Sequence, residues 1–268
     1  MLDVPLTPTG PDLAAVERLA TADASIKGMW CVPRYSNPTG TVYGAEVVRG
    51  LAALKAAAPD FRLFWDDAYR LHHLTDRRNP VADVLAACAG AGHPDRAIVF
   101  ASTSKVTFAG AGLAALASSA ANVAWWQKHV TARSIGPDKL NQLRHVRFLK
   151  DRAHVEALMD RPRALLKPKF DLVEQQFSTL LDGVDGVSWT HPEGGYFIDL
   201  VTPAGCARKT VDLAKRIGIT LTPAGASFPY GKDPRDQHIR IAPTFPSRDE
   251  LEIAARGVAL SLKLSIGC

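Results

Sequence analysis

Short apolar runs alternate along the chain with longer stretches in which apolar residues return every three or four positions. The first pattern suits buried strands and the second suits amphipathic helices. A Pro-containing loop leads into a helix expected over residues 12–20. Residues 26–32 form a short apolar run closed by Pro33, which predicts a buried strand. The turn formers Asn37-Pro38-Thr39-Gly40 come next. A helix is expected over residues 45–57, with Val47, Leu51 and Leu54 on its apolar face. Strands are expected over 62–65, ending at the acidic pair Asp66-Asp67, and over 97–101. Strands separated by helices predict βαβ units around a mostly parallel sheet.

From residue 139 to about 182 the spacing is helical, with Pro162 and Pro168 expected to break or kink it. The units then shorten. Residues 187–189 and 196–200 are expected to pair as strands, followed by a helix over 207–217. Strands over 219–222 and 238–242 and a closing helix over 249–262 complete a smaller α/β unit. The pattern divides the chain near residue 150, giving one unit over 1–150 and a second over 151–268. No internal repeat is visible.

Composition narrows the function classes. Hydrophobic residues make up 47% of the 268 positions and charged residues 22%, as in a folded globular protein. The net charge of +5 comes from basic residues scattered among acids, not from a cluster with interleaved aromatics, so no nucleic-acid partner is expected. The four cysteines, Cys31, Cys88, Cys206 and Cys268, lie far apart, which argues against a disulfide framework or a metal site. The longest apolar stretches, such as residues 109–117, are too short to cross a bilayer, and Asp3 and two prolines stand where a secretory signal needs an apolar run. A cytoplasmic protein with no membrane association is expected.

Four pieces carry candidate chemistry: Asn37-Pro38-Thr39-Gly40, Asp66-Asp67-Ala68-Tyr69 at a strand end, Ser102-Thr103-Ser104-Lys105 directly after a strand, and Arg240 within HIRIAPTF. Each alone has an ordinary structural explanation: a turn, a helix cap, a solvated lysine, an outward-facing arginine. In this order and spacing, with GMWCVPRYSNPTG, FWDDAYRLHHL, FASTSKVTFAGAG, RSIGPDKLNQLRHVRFL, EGGYFIDL and TPAGASFPYGKDPRD, the chain resembles the class I, fold-type-I aminotransferases that use pyridoxal 5'-phosphate (PLP). The closest likeness is to their bacterial aspartate aminotransferase subgroup. The resemblance covers essentially the whole chain and implies a partial large domain followed by a smaller C-terminal α/β domain.

The resemblance also implies roles. Lys105 is the lysine that forms the imine with the cofactor's aldehyde and moves a proton during the reaction. Asp66, rather than the neighbouring Asp67, keeps the pyridine nitrogen protonated, because the family spaces its Asp and Tyr as Asp66 and Tyr69 stand here. Tyr69 and Asn37 donate to the ring oxygen, Ser102 and Ser104 bind the phosphate, and Arg240 holds the substrate carboxylate as a two-pronged fork. Lys139 is the candidate second cation for a dicarboxylate. The implied reaction moves an amino group from an amino acid, aspartate, to a 2-oxo acid, 2-oxoglutarate, in a homodimer. A PLP-dependent β-lyase on the same scaffold and an inactive PLP-binding fragment are the alternatives.

Two departures from the family stand out. Leu113 occupies the position of a phosphate-binding Arg found in many class I members. Family members also have a long portion upstream of the segment that opens this chain. Met1 resembles an internal position, so the resemblance implies an N-terminally shortened member with an incomplete cofactor cradle and weak PLP binding. Four other features have structural readings. His72-His73 lacks metal-ligand spacing, Gly110 and Gly112 form no nucleotide loop, Trp125-Trp126 suits a core or a dimer interface, and Gly194-Gly195 permits a tight turn.

Overall fold

The computed structural model describes residues 1–267; Cys268 lies outside them. A small hairpin, β1 (Leu6–Thr7) with β2 (Gly10–Pro11), opens the chain. Helix α1 (Leu13–Ala22) starts at Asp12, whose carboxylate accepts from the main-chain N–H groups of Ala14 and Ala15. The main sheet has the order β3-β4-β5-β6: β3 (Gly28–Cys31), β4 (Arg62–Asp66) and β5 (Ala97–Ser102) run parallel, and β6 (Ala114–Ala117) returns antiparallel to β5. Helix α2 (Ala45–Ala53) connects β3 to β4, and α3 (Val84–Gly90) lies between β4 and β5.

Register sorts the side chains onto two faces. Cys31, Leu63, Trp65 and Ala97 point to one face, where Val16 and Ala20 of α1, Val48 and Leu51 of α2 and Val84 and Cys88 of α3 bury them. Trp30, Phe64, Asp66, Phe100 and Ser102 alternate onto the other face. There the Trp30, Phe64 and Phe100 rings stack with centroids 6.0 to 6.4 Å apart, and Trp30 stays 61% exposed.

After β6 the chain forms α4 (Ala120–Arg133), α5 (Lys139–Leu149) and the long α6 (Arg152–Leu181). The break between α5 and α6 falls at Lys150, which has a positive φ of 56°, and Asp151 caps the next helix. A second core then forms. Phe170, Val173, Phe177 and Leu181 of α6 pack on the antiparallel sheet β7-β8-β9, made of Ser188–Trp189, Ile198–Val201 and His238–Ile241. Ala207 of α7 (Ala207–Arg216) and Leu251, Val258 and Leu262 of α8 (Arg248–Ile266) close it. A capping box between Ser247 and Glu250 starts α8. Among the described residues, no helix is long and apolar enough to cross a membrane.

Several expectations need correction. Pro162 and Pro168 do not break α6, which is continuous through both. Each proline removes one backbone donor, but the buried face of the helix anchors it on either side. Residues 219–222 form no strand; Ile219 instead lies over Gly257 of α8, where an added Cβ would sit 2.3 Å from its Cδ1. Trp125 and Trp126 are not core residues, since α4 buries none of its side chains. Helices α3 and α4 and strand β6 had no place in the sequence reading; β6 is a four-residue run of Ala and Leu, too featureless to read as a strand.

Across β8 and β9, His238 Nδ1 lies 2.9 Å from the carboxylate of Asp199, which is 2% exposed. The hydrogen bond to Asp199 raises the His238 pKa, and burial opposes it. The folded state therefore binds this proton more tightly than the unfolded chain. The stabilisation is present in full below about pH 6.5, the ordinary histidine value, and fades as pH rises through the higher folded value. Urea unfolding at a series of pH values should show this loss in the wild type and its absence in His238→Gln. Identical pH slopes in the two proteins would rule the linkage out.

Candidate active site

Lys105 sits in a turn that directly follows β5. Thr103 builds the turn. Its N–H donates to Leu113 O at 2.8 Å, its hydroxyl oxygen accepts from Leu113 N at 2.8 Å, and its carbonyl accepts from Val106 N and Thr107 N. Gly112 makes this close return possible, because a Cβ there would lie 2.7 Å from Ser104 Oγ and 2.9 Å from Ser104 Cα. Leu113 thus serves the turn through its main chain. From α5, His145 Nε2 lies 3.1 Å from the hydroxyls of both Thr103 and Thr107, while its Nδ1 faces Asn141 O at 2.9 Å. A nitrogen facing a carbonyl must carry the hydrogen, so Nε2 is the acceptor for the threonine hydroxyls. Ser102 Oγ donates to Ser104 Oγ at 2.8 Å and accepts from Ser104 N at 3.1 Å, which places two hydroxyls together at the turn.

The Lys105 ammonium lies 5.2 Å from the centroid of the Tyr69 ring, a cation–π distance. Tyr69 is buried, and desolvation pushes its phenol pKa up to about 12; Tyr196 and Asp66 add to the rise, and Arg240 opposes it. Tyr69, Asp66, Tyr196 and Arg240 therefore share one electrostatic neighbourhood. Asp66 ends β4 on the same face as Ser102 and is half-buried. Asp67 turns to the opposite side, is buried, and meets Arg70 Nη1 at 3.4 Å. Its other carboxylate oxygen is buried without a partner.

Arg240 arrives from β9 of the second core. Its Nη1 donates to Asn37 Oδ1 at 3.3 Å and its Nη2 to Thr222 Oγ1 at 3.2 Å. The guanidinium carbon lies 4.7 Å from the centroid of the Phe197 ring, and Nε is buried without a partner. Asn37 follows β3 in a loop with a cis Asn37-Pro38 peptide, and its carbonyl facing Arg240 leaves Nδ2 as the donor. The structure thus brings Asn37, Asp66, Tyr69, Ser102, Ser104, Lys105 and Arg240 to the ends of parallel strands and the edge of the second unit. It does not bring Lys139 into this group. Lys139 is exposed at the start of α5 and, among the described residues, makes no hydrogen bond or ion pair with the others.

Four contributors had no role assigned from the sequence. His145 and Thr103 shape the lysine turn, and His72 and Tyr196 both reach the Lys105 carbonyl. Their signal was only their presence in the matching motifs. Gly194-Gly195 was read as a turn. Gly195 has the positive φ of 82° that suits one, but Gly194 is needed for close approach: a Cβ would lie 2.3 Å from the Tyr35 ring and 2.5 Å from His72 O.

A core-backed parallel sheet with a lysine turn beyond one strand, an acid–tyrosine pair beyond the next and an arginine from a second unit defines the PLP-dependent aminotransferase fold. Residues 1–267 match the family described as aspartate amino-transferase, and the chain belongs to that family. An aspartate aminotransferase of Corynebacterium glutamicum is 44% identical over 265 residues, covering 99% of this chain and 61% of that protein. A Mycolicibacterium smegmatis relative is 52% identical over 256 residues, covering 96% of this chain and 60% of its own length. The crystal structure of an aspartate transaminase from Corynebacterium glutamicum superposes with a TM-score of 0.96 at 44% identity, covering 99% of this chain and 62% of that one. The chain thus spans about three fifths of the length of these relatives.

The two neighbouring carboxylates can be told apart by stability. Burial raises the Asp67 pKa, with Arg34 and Arg70 opposing. An acid with a raised folded pKa favours folding only while protonated, so its contribution is lost as pH rises through the folded value. Asp67→Asn should therefore melt no lower than wild type at neutral pH and should unfold with a flatter dependence on pH in the acid range. Asp66→Asn should leave melting unchanged but weaken PLP binding. Thermal melts and PLP titrations of both variants check this, and equal loss of PLP binding in both would reverse the assignment.

Proposed function

We propose that this chain carries the lysine and the substrate-carboxylate arm of a PLP-dependent aminotransferase that moves an amino group from aspartate to 2-oxoglutarate. The observation that carries the reading is the Lys105 amine over Tyr69, with Asp66 beside it and Arg240 entering from the second core. Residues 1–150 act as the cofactor-binding unit and 151–268 as the small domain in this reading.

The donor set fits the cofactor. Asp66 offers a carboxylate for a protonated pyridine nitrogen, Tyr69 and the Asn37 amide offer donors for the ring oxygen, and Ser102 and Ser104 offer paired hydroxyls for the phosphate. Bound PLP supplies an electron sink for the pair of electrons left when the substrate α-carbon loses its proton. Lys105 Nζ is the amine that would hold the cofactor and, when free, would take the proton from the substrate α-carbon. Arg240, already oriented by Asn37, Thr222 and Phe197, grips the substrate α-carboxylate through its two terminal nitrogens. Exposed Trp125, Leu143 and Phe148 on α4 and α5 support a homodimer in the whole protein.

Titration of PLP followed by borohydride reduction and peptide mapping should place the label on Lys105. The apparent affinity should be weak, roughly micromolar or poorer, because Asn37, Ser104 and Lys105 are exposed in this chain. A label on another lysine would overturn the reading. In the full-length context, Arg240→Lys should raise KM for every amino acid about tenfold or more, since an ammonium cannot reproduce the fork. Lys139→Ala should raise KM for aspartate more than for alanine; equal changes for the two substrates would remove Lys139 from the dicarboxylate role.

A further inference from the structure

The carbonyl of Lys105 itself is held from two directions. His72 Nε2 lies 3.1 Å from Lys105 O, and Tyr196 OH donates to the same oxygen at 3.4 Å. His72 is 5% exposed. Its ring stands edge-on to Tyr69, with centroids 5.6 Å apart, and edge-on to Tyr196 at 5.0 Å; Tyr69 and Tyr196 meet at 5.8 Å. The three rings form a cup under the lysine turn. Because a carbonyl only accepts, Nε2 must carry the ring hydrogen. Burial lowers the pKa of the ring, and the Lys105 charge adds to that, so the neutral Nε2–H tautomer is the form that makes the bond.

We propose that His72 is a positioning residue for Lys105: its Nε2–H fixes the lysine's peptide group, and so the direction in which the lysine side chain leaves the backbone over Tyr69. The proposal rests on the aminotransferase reading for its purpose, but not for its geometry. Lys105 O is the carbonyl of the residue whose amine must reach the reacting atoms, and the side chain above it is a flexible four-carbon stem. A turn free to rotate at this peptide would spread the amine over many positions, and small misplacements of reacting groups cost large factors in rate. His72 also belongs to the segment that carries Asp66 and Tyr69, so the bond ties the two halves of the site at the main-chain level. Tyr196 ties the same oxygen to the second unit.

The test compares His72→Gln, whose amide N–H reaches nearly the same point as Nε2–H, with His72→Leu, which fills the space but cannot donate. Two readings are taken on the full chain. The first is hydrogen exchange of residues 102–107 without PLP. The second is the rate of covalent capture of PLP at Lys105, followed by reduction and peptide mapping. In His72→Leu, exchange of the turn should rise severalfold while exchange in β4 and α8 stays at wild-type levels. Capture should slow roughly five- to tenfold, the scale of one buried hydrogen bond. His72→Gln should stay within about twofold of wild type in both readings. A folded His72→Leu with wild-type exchange and capture overturns the proposal, and so does a His72→Gln as impaired as His72→Leu. If His72→Leu does not fold, His72→Asn, whose amide is too short to reach the carbonyl, is read in the same way. If wild-type Lys105 captures no PLP, the aminotransferase reading fails, and exchange in the cofactor-free chain still decides the role of His72.

Discussion

The site depends on one short backbone pairing between the two cores. Residues 72–74 run antiparallel against residues 193–195: Gly195 N donates to His72 O at 2.8 Å, Leu74 N donates to Glu193 O at 2.8 Å, and His73 bridges Gly194. Tyr35, fully buried and itself at a positive φ, lies across Gly194, and only a hydrogen fits in the gap. Beyond this clasp Leu74 is buried in the second core among residues of α6, α8 and the β7-β8-β9 sheet. The same segment begins at Asp66 and passes Tyr69. The link that joins the cores therefore also sets where the acid, the tyrosine and the histidine stand. Side-chain bonds reinforce it: Tyr35 OH meets His73 Nδ1 at 2.6 Å, and Asn79 donates to Glu193 at 2.6 Å.

Burial is used selectively around this clasp. Tyr69, His72 and Tyr196 are desolvated and held neutral, whereas Asp66 and Lys105 keep access to solvent. A charge that must act on a ligand costs little to hold if it stays partly wet; a buried neutral ring costs far less than a buried charge, even though His72 Nδ1 has no partner. Arg240 is intermediate. Phe197, Thr222 and Asn37 occupy its flat face and two donors, and the buried Nε has no acceptor. Each terminal nitrogen still has a second N–H beyond its bond to Asn37 or Thr222, and two such donors held in one plane match the geometry of a carboxylate.

Much of this was legible in the residue pattern. The strands at 28–31, 62–66 and 97–102 and the helices beginning near 13, 45, 207 and 248 follow apolar spacing, with side-chain caps at Asp12 and Ser247, and the structure has them within a few residues. The roles of Asp66, Tyr69 and Lys105 came from the resemblance, and the structure sets all three at or just after the ends of neighbouring strands. What was not legible shares one cause: it depends on what packs against what. Proline normally ends a helix, yet α6 carries Pro162 and Pro168 because its other face is locked into the second core. Residues 219–222 read as a strand but find no ladder partner, so they pack on α8 instead. His72 reads as an ordinary buried histidine until the fold brings the Lys105 carbonyl to its ring.

The open face of the main sheet bears on how far this chain can act by itself. Asp66 and Ser102 lie on the same face as the Trp30, Phe64 and Phe100 stack, and Trp30 remains largely exposed. Parallel strands are ordinarily covered on both faces, because a wet apolar face gives up most of the hydrophobic gain. A bare aromatic ladder beside a half-exposed carboxylate leaves the polar edge of the site at high dielectric, where each charge pairing counts for less. The relatives this chain matches are longer by about two fifths of their length. Any cover over Trp30, Phe64 and Phe100 would dry the floor next to Asp66 and strengthen the field of its carboxylate without altering a residue of the site. The electrostatics of Asp66 and its neighbours therefore depend on what lies over the aromatic face.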